Sequence, residues 1–415
     1  MSAPTNANLP DSLAKLRPIP SVAPVPQAAR LDEGCGVATL LQVATKRGAS
    51  DLILVADAPP TAYLNGRWTP LSSEPFDPTL LVDCARNLLS KPQAAQLETG
   101  KDLDLALELG GSGRYRVNLH YQRGSLAAAF RSIPTEIPSF QSLNLPPHVL
   151  RFADYPNGLV LVTGGAGQGK STTLAALIDH MNAGRSAHVI TLEDPIEFAF
   201  RHGTCLIEQR EIGSDSPSFA SALRHVLRQR PDVIVIGEVR DLETLSTALT
   251  AAETGHLVFA SLHTSGAAQS LARIIDVFPA ASQPQVRVQI AASLQAIICQ
   301  TLLKDTLNGM LVPATEIMVA TAAIRRAIRE SETHLIYSMI ETGKCHGMHT
   351  LEQSIAELVK AGRVAPDEAL AATPEPGRLA RLIGYVAPEE DARLAEIAIM
   401  KSAFNEAPLG AGRRS

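Results

Sequence analysis

The sequence predicts a mixed α/β chain: a small α+β domain, then a larger α/β domain around a parallel sheet, then a run of helices. Three observations carry this reading. Short strand-like runs broken by turn residues fill residues 31–140, continuous apolar runs alternate with helix-like segments from Gly158, and helical spacing returns beyond about Pro313. Continuous apolar strands separated by helices are expected of a parallel sheet buried on both faces. At about 100–200 residues per domain, 415 residues allow two or three domains.

In chain order, residues 1–30 are rich in Pro, Ala, Asn and Ser and read as a flexible leader. ATLLQVATKRGA then carries apolar residues at helical spacing and stops at Gly48, a plausible C-terminal cap. DLILVA, TAYLNGRW, LDLALEL, YRVNLHYQ and AAAFRSIP are strand-like, with PTLLVDCARNLLSKPQAAQLETG between them as a helix. Asn65-Gly66 is a two-residue hairpin signal. Residues 31–140 are therefore expected to form an antiparallel sheet with helices. LVLVTG, HVITLED, DVIVIGE and HLVFASLHT supply the buried strands of the next domain, 141–312. TAAIRRAIRE, HLIYSMIETG and HTLEQSIAELVKAGRV read as the helices of a region spanning 313–390. In the last of them Leu351, Ile355, Leu358 and Val359 share one face, with Ser354 the polar exception. Residues 391–415 read as a frayed tail.

Composition excludes several classes. Apolar residues at 45% and charged residues at 19% can bury a full core, so the chain is not wholly disordered. Thirty-seven basic against forty-two acidic residues give a net charge of −5, without the broad basic footprint of a nucleic-acid binder. Aromatics are 4%, too few to suggest stacking platforms for single strands. No run approaches the roughly 18–20 apolar residues of a membrane span, and the start lacks the apolar stretch of a signal peptide. Direct membrane insertion is therefore not expected. Cys35, Cys84, Cys205, Cys299 and Cys345 stand singly without a CxxC pair. They read as reduced, mostly packed thiols of a cytoplasmic protein, not as a zinc site or disulfide framework.

The strongest motif is LVLVTGGAGQGKSTTLAALIDHMN. Gly164, four residues (Gly165, Ala166, Gly167, Gln168), then Gly169, Lys170 and Ser171 have P-loop spacing, after an apolar strand and before a helix. Backbone N–H groups of such a loop point at phosphate oxygens, and side chains would obstruct the approach. The glycines permit positive φ. Lys170 offers a point charge to the phosphates, the Ser171 hydroxyl a ligand to Mg²⁺, and Thr172 continues the first helical turn. ATP with magnesium is the expected ligand set. The alternative, a Gly-rich turn that matches by chance, lacks the flanking strand and helix seen here.

Acidic residues narrow the chemistry. RPDVIVIGEVRD is a buried-strand run ending in Gly237-Glu238, and a carboxylate there can reach the magnesium or its water. HVITLEDPIEF places Glu193, Asp194 and Glu197 where a second strand leaves the sheet. Ligands of open α/β sheets bind beyond the carboxyl ends of the strands, so both clusters should meet the loop. One such carboxylate could orient and deprotonate the attacking water. Solvated loop carboxylates are the competing reading. ETGHLVFASLHTSG adds His256 and His263; each is either a packed histidine or, for His263 at the far end of its strand, a contact to the γ-phosphate or the acids.

These residues resemble a family. The Walker A loop, an Asp box (TLEDPIEF, 191–198), a Walker B segment (PDVIVIGEVRDLET, 231–244) and a His box (TAAETGHLVFASLHT, 250–264) occur in the order of the type IV pilus retraction ATPases, the PilT group of the type II/IV secretion ATPase superfamily. The resemblance covers about residues 37–375. It implies a RecA-like P-loop ATPase domain preceded by a small PAS-like α+β domain, the latter carried by GASDLILVA and RYRVNLHYQRGSLAAAFRSIP, with C-terminal helices. AIRRAIRE (323–330) resembles a motif of the retraction subgroup. By the same resemblance Lys170 and Ser171 bind phosphate and magnesium, Glu197 is the general base and Glu238 supports metal and water. Arg116 and Arg131 match N-terminal-domain arginines that reach the phosphates, and His256 and His263 match the His box. The family implies a homohexameric ring with ATP between the two domains of a subunit, coupled to an inner-membrane pilus platform protein.

The chain also departs from the family. It has GGAGQGKST where GPTGSGKST is usual, with Gln168 in place of a small serine; Ile53 stands for a histidine, Arg230 for a common acid, and Arg326 and Ala327 alter AIRNLIRE. None removes a catalytic group. Two other functions remain beside retraction: a secretion or conjugation-type ATPase energising export, and a weakly hydrolysing accessory paralogue. Larger secretion ATPases typically carry an extra N-terminal domain and often a four-cysteine zinc module; neither is expected from this length and these single cysteines, which favours the retraction type. Retained Lys170, Glu197 and Glu238 argue against the accessory reading, while Gln168 leaves it open.

Overall fold

The computed structural model describes residues 29–31, 36–64, 66–100, 102–109, 113–133 and 136–385. The expected leader and tail therefore lie almost wholly outside the described residues. The chain divides into two compact units, one of residues 1–136 with 197–199, the other of 137–196 with 200–415.

The first unit is built on a seven-stranded sheet. In chain order it comprises β1 (Ala29–Leu31), α1 (Gly36–Lys46), β2 (Asp51–Leu54), β3 (Thr61–Leu64), β4 (Arg67–Pro70), α2 (Pro78–Leu88), α3 (Lys91–Glu98), β5 (Leu103–Leu109), β6 (Gly113–Gln122) and β7 (Ser125–Ile133). The sheet order is β1-β5-β6-β7-β2-β3-β4, antiparallel throughout except where β1 runs parallel to β5. Leu64 pairs with Arg67 across a two-residue turn with Gly66 at φ +80°, as the Asn65-Gly66 signal anticipates. The single helix expected over PTLLVDCARNLLSKPQAAQLETG is instead two. Pro92 falls in the first turn of α3, where a proline starts a helix but cannot continue one, and the Gln93 side chain accepts from the Ser90 N–H at 2.9 Å to cap the new start.

The second unit carries β8 (Gly158–Thr163), α4 (Lys170–Gly184), β9 (His188–Glu193), β10 (Leu206–Glu211), α5 (Phe219–Val226), β11 (Val233–Ile236), α6 (Leu242–Glu253), β12 (Leu257–Leu262), α7 (Ala267–Asp276), α8 (Gln283–Ser293), β13 (Leu294–Lys304) and β14 (Leu311–Val319). The helices α9 (Ala322–Arg329), α10 (Ile336–Thr342), α11 (Leu351–Lys360), α12 (Pro366–Ala371) and α13 (Pro376–Ile383) follow. The strand order is β10-β9-β11-β12-β8-β13-β14, parallel except for the β13–β14 hairpin. Every residue of β8, β11 and β12 is buried. Alternate residues face opposite sides. Leu159, Leu161, Ile234 and Ile236 enter one core cluster, and Val160, Val162, Val233 and Val235 enter another. The sheet is thus covered on both faces, as continuous apolar strands require.

Three strands of this sheet escape the apolar-run criterion. β10 is half exposed; β13 is interrupted by Gln295 and Gln300, and β14 carries Glu316. The boundary expected at residue 312 falls inside β14, so the following helices pack onto the same unit. Ser354, the polar exception of its helix, has a structural use: its hydroxyl accepts from the Thr315 N–H of edge strand β14 at 3.1 Å. The AIRRAIRE segment divides in two. Ile324, Ala327 and Ile328 are buried, while Arg325 donates to the Ala291 and Ala292 carbonyls at the end of α8 (2.6 and 2.9 Å) and to Gln295 Oε1 (3.0 Å). Arg326 faces outward and pairs with Glu330. Among the described residues no helix is long and apolar enough to cross a membrane.

Candidate functional site

The site grows from the end of β8. Thr163 closes a buried strand and Lys170 opens the fifteen-residue α4, so the six residues between must reverse the chain tightly. Gly164, Gly167 and Gly169 adopt φ of +149°, +73° and +79°. At Gly169 the left-handed conformation alone would cost another residue about 1–2 kcal/mol, and its Cβ would lie 2.7 Å from Gln300 Nε2. A Cβ at Gly164 would lie 2.5 Å from the Gln300 carbonyl oxygen, so the glycine requirement there is steric as well. Gly165, Ala166 and Gly167 form the exposed crest. Ser171 and Thr172, partly exposed, sit in the first turn of α4, where the unpaired N–H groups and the helix dipole favour an anion.

Lys170 is 8% exposed, and its ammonium is fixed by the Gly164 and Gly165 carbonyls at 2.9 and 2.8 Å. It also lies 3.3 Å from His263 Nδ1. The other imidazole nitrogen, Nε2, is 2.9 Å from Glu238 Oε1. An ammonium can only donate and a carboxylate can only accept, so the partners select the neutral tautomer with Nε2 protonated. Glu238 Oε2 pairs with Arg240 at 2.7 Å, and Arg240 lies 4.0 Å from Asp194. The Arg240 hydrogen bond, more than the nearby His263, holds the Glu238 carboxyl below the usual carboxylate range.

Strand order explains this relay. β12 lies between β11 and β8, so His263 at its end sits between Glu238, which follows β11, and the loop that follows β8. The segment after β11 is tied to β12 by the Val239 N–H on the Ser261 carbonyl at 3.1 Å and by the Ser261 hydroxyl on the Gly237 carbonyl. Gly237 admits a close pass: its N–H donates to the Leu192 carbonyl at 2.7 Å, and a Cβ would meet that oxygen at 3.1 Å. Beside the relay opens a cleft of about 210 Å³, lined in part by Glu238, Arg240, His263 and Arg273.

Glu193 ends β9, where Oε1 accepts from Thr191 Oγ1 at 2.6 Å and from Gln209 Nε2 at 3.1 Å. His256 precedes β12, and its N–H donates to the Ala251 carbonyl at 3.1 Å. Leu257 pairs with Gly158 and Leu262 with Thr163, so six strand residues, about 20 Å, separate His256 from the loop. In its own chain His256 thus caps the end of α6, at the opposite end of β12 from the loop. Arg116 and Arg131 belong to the first unit, directly opposite one another on β6 and β7, and Arg131 Nε donates to Asp51 Oδ1 at 2.8 Å. Glu197 is grouped with that unit too. Two residues not singled out in the sequence, Gln300 on β13, which no motif marks, and Arg240, which lies within the Walker B segment, complete the surroundings of the loop and of Glu238.

The arrangement fits a nucleotide triphosphate: a glycine cradle that a Cβ would fill, a buried fixed ammonium, and a carboxylate kept ionised one strand beyond a bridging histidine. Ser171 and Glu238 are the oxygen donors suited to a hard cation.

Comparisons with known proteins agree. Residues 139–364 match the family model described as Type II/IV secretion system protein. The chain is 42% identical over 333 residues to the type IV pilus retraction ATPase PilT of Pseudomonas aeruginosa, covering 80% of this chain and 96% of that one. It is 47% identical over 268 residues to a twitching motility protein of Neisseria gonorrhoeae, covering 65% and 72%. Among solved structures it resembles the pilus retraction motor PilT with bound ADP, at a TM-score of 0.78 and 43% identity over 82% of this chain and 98% of the other.

Proposed function

Because the chain belongs to the type II/IV secretion system protein family, and within it to the pilus retraction ATPases, we propose that it hydrolyses ATP to power withdrawal of a type IV pilus. The observation that carries the chemistry is the continuous relay from Arg240 through Glu238 and His263 to Lys170 and the loop carbonyls. Bound ATP supplies the γ-phosphoryl group, and magnesium the neutralisation of its charge. The chain supplies position. The loop N–H groups and Lys170 hold the phosphates, Ser171 and Glu238 serve the cation, and His263 reports the state of the phosphate end to Glu238. Water activation falls to a carboxylate, Glu238 or Glu197. Arg116 and Arg131 remain proposed phosphate contacts. The accessory-paralogue reading loses its main support, since Gln168 does not intrude on the loop: its side chain accepts from the Leu302 N–H instead.

We further propose a homohexameric ring acting from the cytoplasmic side on an inner-membrane platform protein, without nucleic acid or membrane insertion. Light scattering of the purified chain with nucleotide at micromolar concentration should give a mass near six chains; monomer alone would remove the ring. Deletion of the gene should let surface pili accumulate while twitching stops, with rescue by the wild-type gene and none by Lys170→Ala. Normal twitching in the deletion strain would overturn the retraction function.

A further inference from the structure

Nothing in a motif marks Gln300, yet it is 5% exposed on β13, the strand beside β8. Its Oε1 accepts from Thr173 Oγ1 at 2.7 Å and its Nε2 donates to the Gln168 carbonyl at 2.8 Å. Thr173 lies in the first turn of α4 and Gln168 in the loop, so one buried amide ties the loop to the helix it feeds. Gln168 returns the tie, its Oε1 accepting from the Leu302 N–H of the same strand. The backbone closes around this amide, since a Cβ at Gly169 would meet Gln300 Nε2 and a Cβ at Gly164 the Gln300 carbonyl.

We propose that Gln300 and Gln168 form a clasp that pins the phosphate loop to β13 and so pre-forms the nucleotide site, Gln300 being a positioning residue. The inference rests on the reading of the loop as a nucleotide site. A glycine-rich loop without such ties samples many backbone conformations, and binding must then order it; holding the bound shape in advance removes that cost. Gln300 acts on the loop through the Gln168 carbonyl and the Thr173 hydroxyl. Its loss should therefore weaken nucleotide binding more than it slows chemistry. The amide orientation is set by its partners, one donor and one acceptor. Glutamate at this place keeps the bond from Thr173 but opposes an acceptor to the Gln168 carbonyl, whereas leucine keeps the bulk and loses both bonds.

The test is calorimetric titration of the full chain with ADP and magnesium, beside steady-state KM and kcat for ATP. With one or two hydrogen bonds lost, Gln300→Leu should weaken ADP binding and raise KM by about tenfold, while kcat at saturation stays within about twofold. Gln300→Glu should bind at least as weakly as Gln300→Leu. Gln168→Ser removes only the partly exposed half of the clasp, cannot empty the core, and should weaken binding by about threefold. Should Gln300→Leu fail to fold, Gln168→Ser and Gln300→Glu decide. Wild-type affinity and KM in the folded variants would overturn the clasp, as would a fall in kcat with KM unchanged. A wild-type chain that binds no ADP would instead remove the nucleotide reading and the clasp with it.

Discussion

Lys170→Ala should lower steady-state ATP hydrolysis by about two to three orders of magnitude, the loss expected when one fixed electrostatic partner of a developing charge is removed. The residue is suited to so large an effect. Its ammonium is almost fully buried and held by two backbone carbonyls, so its charge is aimed before the phosphates arrive and needs no reorganisation. A fixed charge on so buried a side chain is worth more than the same charge in solvent. Arginine should not restore activity, because its broad planar fork cannot take the place of a compact ammonium between the Gly164 and Gly165 carbonyls. Phosphate release by the purified variant, with its thermal melt measured alongside, gives the answer. Wild-type turnover in a folded Lys170→Ala chain would take the loop out of the mechanism.

Glu238→Gln should preserve nucleotide affinity within about threefold while lowering turnover by about a hundredfold or more. The amide keeps the size of the carboxylate and can still accept from His263, so the relay to Lys170 keeps its shape. What it loses is the charge and one acceptor, because its amide nitrogen then faces the Arg240 guanidinium, donor against donor. The Arg240 hydrogen bond lowers the Glu238 carboxyl from its ordinary value, so the group is ionised throughout the neutral range. An ionised carboxylate beside the phosphate loop is what metal and water require, and an amide is a poor substitute for either. Binding titration and single-turnover hydrolysis on the same preparation separate the two effects. Unchanged hydrolysis would remove Glu238 from the chemistry and leave Glu197 as the sole carboxylate for that step.

Legibility in the sequence followed chain proximity. The phosphate loop could be read whole because its glycines, lysine and serine lie within eight consecutive residues, and the strand and helix that flank it are contiguous with it. The α2–α3 break does not show in the apolar spacing, which continues across it; the proline in the first turn of α3 marks it. Ser354 breaks an apolar helix face because it serves the edge strand, whose Thr315 lies 39 residues earlier in the chain. Gln300 carries no local signal, for its partners lie more than a hundred residues earlier. His256 and His263 share one short motif, yet the two stand at opposite ends of one strand.

From the sequence alone follow the P-loop, the buried strands that bracket it and the acids at their ends, because each depends on residues adjacent in the chain and on the period of a strand or helix. The order of those strands depends on which apolar faces pack together and on how the crossover helices cover them, and no local pattern encodes it. That order puts β12 between β11 and β8, which sets His263 between Glu238 and Lys170, and puts β13 beside β8, which brings Gln300 under the loop. These four scattered residues become one connected site only through that packing.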